Sequence, residues 1–262
     1  MLFSRFRAPE TRRAPARIPD GVRVYAIGDI HGRHDLLTTL LAAIAADAAD
    51  TRHLCRTVFL GDYVDRGEDS AGVIERLSAS SAADRAPGDA AAHADAAWTC
   101  LMGNHEAMML AALSGEADCE PWLRMGGAET LFSYGVSVHS FIGPDRAEQV
   151  RAAALAAIPA AHFEFLRQLP GKVEIGDYYF FCHAGIRPGV ALDQQTLDDL
   201  IWIREDFTRS PLDHGKRIVH GHTPAMEVEL LANRINVDTG AYLTHRLSCV
   251  VLEGEEARVI HT

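Results

Sequence analysis

No apolar run in this chain reaches the ~20 residues needed to cross a bilayer, so neither a transmembrane helix nor a membrane partner is expected. The five cysteines, Cys55, Cys100, Cys119, Cys182 and Cys249, contain no C-x-x-C pair. Their number is odd, and Cys100, Cys182 and Cys249 lie in apolar, strand-like runs. They read as buried free thiols of a reducing compartment. None sits in a glycine-rich elbow, so a cysteine nucleophile is not expected. Positive charge is also short: the formal net charge is −11, which disfavours a nucleic-acid partner. The first nineteen residues hold five arginines and three prolines but no lysine and no apolar core. That is not a secretory signal. A disordered basic arm over residues 1–20 and a cytoplasmic location are expected. No internal repeat or coiled coil is visible.

The chain does contain five short runs that set Asp, Asn or His beside glycine. They are Gly28-Asp29-Ile30-His31-Gly32, Gly61-Asp62-Tyr63-Val64-Asp65-Arg66-Gly67, Gly103-Asn104-His105-Glu106, His183-Ala184-Gly185 and His220-Gly221-His222. Most follow a buried-strand pattern. Strands are expected over 22–27, 57–60 and 98–102, alternating with helices over 35–47, 70–80 and 106–113. This alternation predicts an α/β domain filling residues 21–262, with Asp29, Asp62 and Asn104 just beyond strand carboxyl ends. Residues 81–97, rich in Ala, Asp and Gly, predict a variable loop. Residues 114–170 predict a helical insertion beside the site, with one helix over 147–158 and another begun by Pro159. From Val173 onward the strands at 178–182, 217–219, 235–237, 248–252 and 258–260 predict a second, largely antiparallel sheet.

Asp29 and His31 offer a carboxylate and an imidazole two residues apart, and the flanking glycines permit the turning this requires. Asp62 can bridge two cations with its two oxygens. Asn104 adds a carbonyl oxygen, and His183 and His222 add nitrogens. An O/N set without thiolate favours Mn²⁺, Fe or Zn²⁺ over a structural zinc. A lone Gly-Asp pair is ordinarily a turn, but five such runs in this order are not five turns.

In these motifs the chain resembles the calcineurin-like metallophosphoesterases, specifically their phosphoprotein-phosphatase branch. The pattern G-D-x-H-G, G-D-x-x-D-R-G, G-N-H-E, H-A-G, H-G-H runs in order from Asp29 to His222. The resemblance implies two mixed β-sheets packed face to face with flanking helices. It implies two divalent ions: one on Asp29, His31 and Asp62, the other on Asp62, Asn104, His183 and His222. Mn²⁺ is the expected ion, with Fe or Zn²⁺ as alternatives.

The chemistry implied is in-line attack on phosphorus by a hydroxide bridging the metals. His105 would be the general acid, oriented by Asp65. Arg66 would hold a phosphoryl oxygen. A second phosphate arginine is expected at Arg204, in a W-x-R element of the bacterial branch, or at Arg187. Tyr242 is a further candidate substrate contact, and His220 is expected to support the site. The motif Trp122-x-x-x-Gly126-Gly127-x-x-Thr130, present in both protein phosphatases and dinucleotide polyphosphate hydrolases of bacteria, is expected to shape the substrate's way in. The implied substrate is a phosphoserine/phosphothreonine protein. A symmetrical diadenosine tetraphosphate or another phosphorylated small molecule is the alternative, and a metal-binding scaffold without turnover is the third reading. Oligomeric state is left open.

Overall fold

The computed structural model describes residues 16–83 and 98–262. Two five-stranded sheets stack face to face, with helices on their outer sides. The first has the order β10-β9-β1-β2-β3, with β1 (Val22–Ile27), β2 (Leu54–Phe59), β3 (Trp98–Cys100), β9 (Ser248–Glu253) and β10 (Glu256–His261). The second has the order β4-β5-β6-β8-β7, with β4 (Lys172–Ile175), β5 (Tyr179–Cys182), β6 (Arg217–His220), β7 (Glu229–Leu230) and β8 (Arg234–Asn236).

The second sheet is not largely antiparallel. β5, β6 and β8 run parallel, and only the flanking β4 and β7 pair antiparallel. The runs at 248–252 and 258–260 belong instead to the first sheet, where β9 pairs antiparallel with β1. Closeness in sequence suggested one sheet; the chain crosses back because apolar residues on both faces of β9 need cover on both sides.

Strand alternation explains the layering. Val24 and Ala26 of β1, Val58 of β2 and Val250 and Leu252 of β9 meet Tyr179, Phe181, Val219 and Ile235 from the other sheet. The intervening Tyr25, Ile27, Phe59, Cys249 and Val251 face the helices. Strands buried on both faces read as continuous apolar runs. Burying one such Phe or Leu fully contributes about 1.5–3 kcal/mol.

The outer helices are α1 (His34–Ala49), α2 (Ser70–Ala83), α3 (Asn104–Ser114), α4 (Cys119–Trp122), α5 (Ala128–Ser133), α6 (Arg146–Ala157), α7 (Ala160–Arg167), α8 (Leu197–Trp202), α9 (Glu205–Thr208) and α10 (Ala241–Thr244). Helices α4–α7 lie within residues 114–170 and pack on α2 and α3. α3 starts two residues earlier than expected, which puts Asn104 and His105 in its first turn. α2 extends to Ala83, and the rest of the loop expected over 81–97 lies outside the described residues. Residues 1–15 of the expected basic arm lie outside them too. Its last five residues do not behave as an arm: Ile18 is fully buried in the core between the sheets, and its N–H donates to Gly254 O at 2.8 Å. Cys55, Cys100, Cys119, Cys182 and Cys249 are free, and all but Cys55 are buried.

Candidate metal centre

The parallel strands of both sheets aim their carboxyl ends at one place. Asp29 follows β1, Asp62 follows β2 and Asn104 follows β3; His183 follows β5, His222 follows β6 and Asp238 follows β8. All six are buried. The turns that deliver them are unusual. His31, Asp62, Asp65, Arg66 and His222 have positive φ, and among the described non-glycine residues only His245 shares it. Such backbone costs energy and persists where the surroundings enforce it.

Asp62 lies at the middle of the cluster. Its Oδ2 is 3.4 Å from His31 Nε2, and its Oδ1 is 3.3 Å from His183 Nε2. The two imidazoles therefore face opposite oxygens of one carboxylate. His183 Nε2 is also 3.0 Å from Asn104 Oδ1 and 3.1 Å from His222 Nδ1. The remaining nitrogens fix the rings: His31 Nδ1 meets Val64 O and His183 Nδ1 meets Leu60 O, each at 2.9 Å. This is how a ligating imidazole is oriented, with one nitrogen tied to a carbonyl and the other free for metal. Asp29 joins through His222, whose backbone N–H donates to both carboxylate oxygens at 3.2 and 3.1 Å. Gly221 has no side chain for a simple reason: a Cβ there would lie 2.1 Å from Asp29 Oδ1.

The triplets His31–Asp62–His105 and Asp62–His183–His222 each gather their ligand atoms within 4.8 Å. Burial, with the facing Asp238 and Asp62 carboxylates, pushes the Asp29 pKa well above the usual carboxylate range. Burial also pushes Asp238 up to about 6. Burial pushes His31 down to about 3 and His222 down to about 2, so both rings are neutral. Three buried carboxylates with neutral imidazoles form a site that divalent cations would compensate. The residues present fit a dinuclear centre.

His105 stands beside it. Its Nδ1 is 2.6 Å from Asp65 Oδ2, and its Nε2 is 3.0 Å from Arg66 Nη2. Burial opposes charging this imidazole, but Asp62 and Asp65 outweigh it and raise its pKa. Asp65 is itself held by Trp122 Nε1 at 3.1 Å and by the Thr130 hydroxyl, which donates to Oδ1 at 2.7 Å. The motif expected to shape the substrate's way in thus holds the Asp65 carboxylate. Gly126 belongs to the same device: its φ is 115°, and a Cβ there would lie 2.4 Å from Arg66 N.

Arg66 extends over the Tyr242 ring, 4.6 Å from its centroid, and Tyr242 packs edge-on against His31 at 5.2 Å. Arg204 reaches the centre, with Nη1 3.4 Å from His222 O. Arg187 does not: its Nε donates to Asp199 Oδ1 at 2.9 Å and its side chain is half exposed. His220 is buried, with Nδ1 on Gly221 O at 3.0 Å, and is not among the clustered ligands.

Residues 22–250 match the calcineurin-like phosphoesterase family. The chain is a calcineurin-like phosphoesterase. Members of this family are hydrolases with a dinuclear metal centre, which the clustered donors suit. The phosphoesterase is 26% identical to serine/threonine-protein phosphatase 2 of Salmonella typhimurium, over 86% of this chain and 90% of that protein. It is 24% identical to serine/threonine-protein phosphatase 2 of Escherichia coli, over 92% of this chain and 97% of that one. Among solved structures it shares its fold with one provisionally assigned as a diadenosine tetraphosphatase. That match has a TM-score of 0.60 and 20% identity, over 95% of this chain and 98% of the other. A cold-active protein-tyrosine phosphatase of a psychrophilic Shewanella matches with a TM-score of 0.54 and 21% identity, over 94% and 80%.

The sequence reading of this phosphoesterase passed over Glu106, although it closes the G-N-H-E run. The Glu106 side chain is fully buried and accepts four backbone N–H groups, from Asp62, Tyr63, Val64 and Gly103, at 2.9, 2.7, 3.2 and 3.0 Å. Burial and the nearby Asp62 charge push its pKa up; the bonds from the backbone pull the other way. It ties the Asp62 loop to the start of α3. An acid in a helix's first turn, directly after Asn104 and His105, was the signal available.

Proposed function

We propose that the protein hydrolyses phosphoserine and phosphothreonine esters in proteins. The observation that carries phosphoester hydrolysis is Asp62, whose two oxygens face the His31 and His183 imidazoles, with His105 beside it. Asp29, His31 and Asp62 would hold one cation; Asp62, Asn104, His183 and His222 would hold the other, with Mn²⁺ the first choice and Fe or Zn²⁺ the alternatives. When bound, such a pair lowers the pKa of water and polarises phosphoryl oxygens.

The chain's own residues do the rest. Arg66 and Arg204 grip the phosphoryl oxygens as planar donors whose charge does not titrate away. Arg66 moves from His105 Nε2 onto the substrate. His105, its Nδ1–H on Asp65, then delivers a proton from Nε2 to the departing serine or threonine oxygen. Such an acid contributes about 10²–10⁴-fold. Tyr242 flanks Arg66 and limits its motion.

The similarity to two bacterial serine/threonine-protein phosphatases supports the protein substrate. Diadenosine tetraphosphate is the second reading, favoured by the fold shared with the structure assigned to that activity. The test is phosphate release by Mn²⁺-loaded protein from a phosphothreonine peptide, run beside diadenosine tetraphosphate with an Asp62→Asn control. Faster peptide turnover, lost in the control, is expected. Preferred cleavage of the dinucleotide would replace this reading with the second; silence on both would overturn catalysis by this centre.

A further inference from the structure

Two depressions open beside Arg66. The first, about 550 Å³, is bounded by Arg66, Tyr242, Arg33, Glu68 and Asp69. The second, about 590 Å³, is bounded by Glu68, Glu129, Phe132, Val138 and His139. Glu68 walls both, so a groove leads from the phosphate arginine to the Phe132 ring. That ring is 71% exposed, a poor state for an aromatic side chain with nothing to cover it.

The charges along the groove have one sign to spare. In the first depression Arg33 is paired with Asp35 at 2.6 Å, and Asp69 with His34 at 3.1 Å. Glu68 and Glu129 have no ion-pair or hydrogen-bond partner among the described residues. No Lys or Arg lines the second depression. Glu68 feels Arg33 only at longer range, so two carboxylates without a direct partner stand between Arg66 and an apolar slot.

We infer that this groove holds the polypeptide flanking the phosphorylated residue, with a Lys or Arg beside Glu68 and Glu129 and an apolar side chain against Phe132. The inference rests on the phosphoprotein reading above. A dinucleotide polyphosphate fits poorly: its further phosphates would meet the two carboxylates with the wrong charge.

The experiment compares two phosphothreonine peptides, one flanked on both sides by Arg and Leu, the other by Glu and Ser. Phenyl phosphate, which has no flanks, reports the state of the centre in each variant. The wild type is expected to prefer the Arg–Leu peptide in kcat/KM, mainly through KM. Glu68→Gln should shrink that preference about 3- to 5-fold, the size expected of a part-exposed ion pair. Glu68→Lys should push it towards the Glu-flanked peptide. Phe132→Ala should weaken only the Leu-containing peptide, by about 5-fold. Equal turnover of both peptides by the wild type, or variants that slow all three substrates alike, overturns the groove and leaves the phosphoprotein reading standing. Cleavage of diadenosine tetraphosphate with neither peptide turned over overturns both.

Discussion

Replacing Glu106 by Gln tests whether the centre is built by one buried carboxylate. Oε1 accepts the N–H groups of Tyr63 and Val64; Oε2 accepts those of Asp62 and Gly103. Whichever oxygen becomes NH₂, two buried N–H groups lose their acceptor and meet a donor instead. Each unpaired buried donor costs about 1–3 kcal/mol, so the variant should lose about 2–6 kcal/mol of stability. That is a large share of the ~5–15 kcal/mol a domain has. Urea unfolding should show it as a lower midpoint with an unchanged slope. Asp62 rides on the same loop, so the affinity for Mn²⁺ should also fall, by about 10- to 100-fold as for other residues that orient ligands. Glu129→Gln, an exposed change of the same chemistry, should stay within about 0.5 kcal/mol of wild type. If Glu106→Gln unfolds at the wild-type midpoint and binds Mn²⁺ as tightly, the four-bond account of this loop is wrong.

Gly126→Ala should lower Tm and raise KM, because the new Cβ is strained at positive φ, by about 1–3 kcal/mol, and displaces Arg66; a variant with wild-type KM would show that Arg66 is placed by something else. Arg204→Ala should cut kcat/KM by about 10- to 100-fold, the worth of a charged hydrogen bond, while Arg187→Ala should stay within about 2-fold; the reverse order would reassign the second phosphate contact. Asp47 is raised by partial burial but lowered more by Arg258, Tyr25 and Arg23, so its folded pKa lies below its unfolded one. Its contribution is therefore complete above the unfolded pKa and lost as pH falls through the folded one. The Tm gap between wild type and Asp47→Asn should hold down to about pH 4, the unfolded pKa, and then close as pH falls through the lower folded pKa; a gap that widens on acidification would reverse the sign.

The five glycine-flanked runs were legible because each chemical group sits in a short local pattern after an apolar strand. Asp29, His31, Asp62, Asn104, His183 and His222 could be nominated from type and order alone. β1, β2, α1 and α2 were legible too, since their apolar spacing is local. The partnership of β9 with β1 was not: it pairs residues more than two hundred positions apart, and a doubly buried strand shows no alternation to say which sheet it joins.

Sequence by itself determined the inventory, namely which oxygens and nitrogens the site can use and in what order they arrive. Only the tertiary structure decided their arrangement. It turned Arg204 towards His222 and left Arg187 on Asp199. It revealed Glu106 as the acceptor for two loops, and Trp122 and Thr130 as the grip on Asp65. The reason is physical. A residue's type is written in the chain, but a hydrogen bond between positions 65 and 130 exists only after two sheets and an outer helical layer have closed around it.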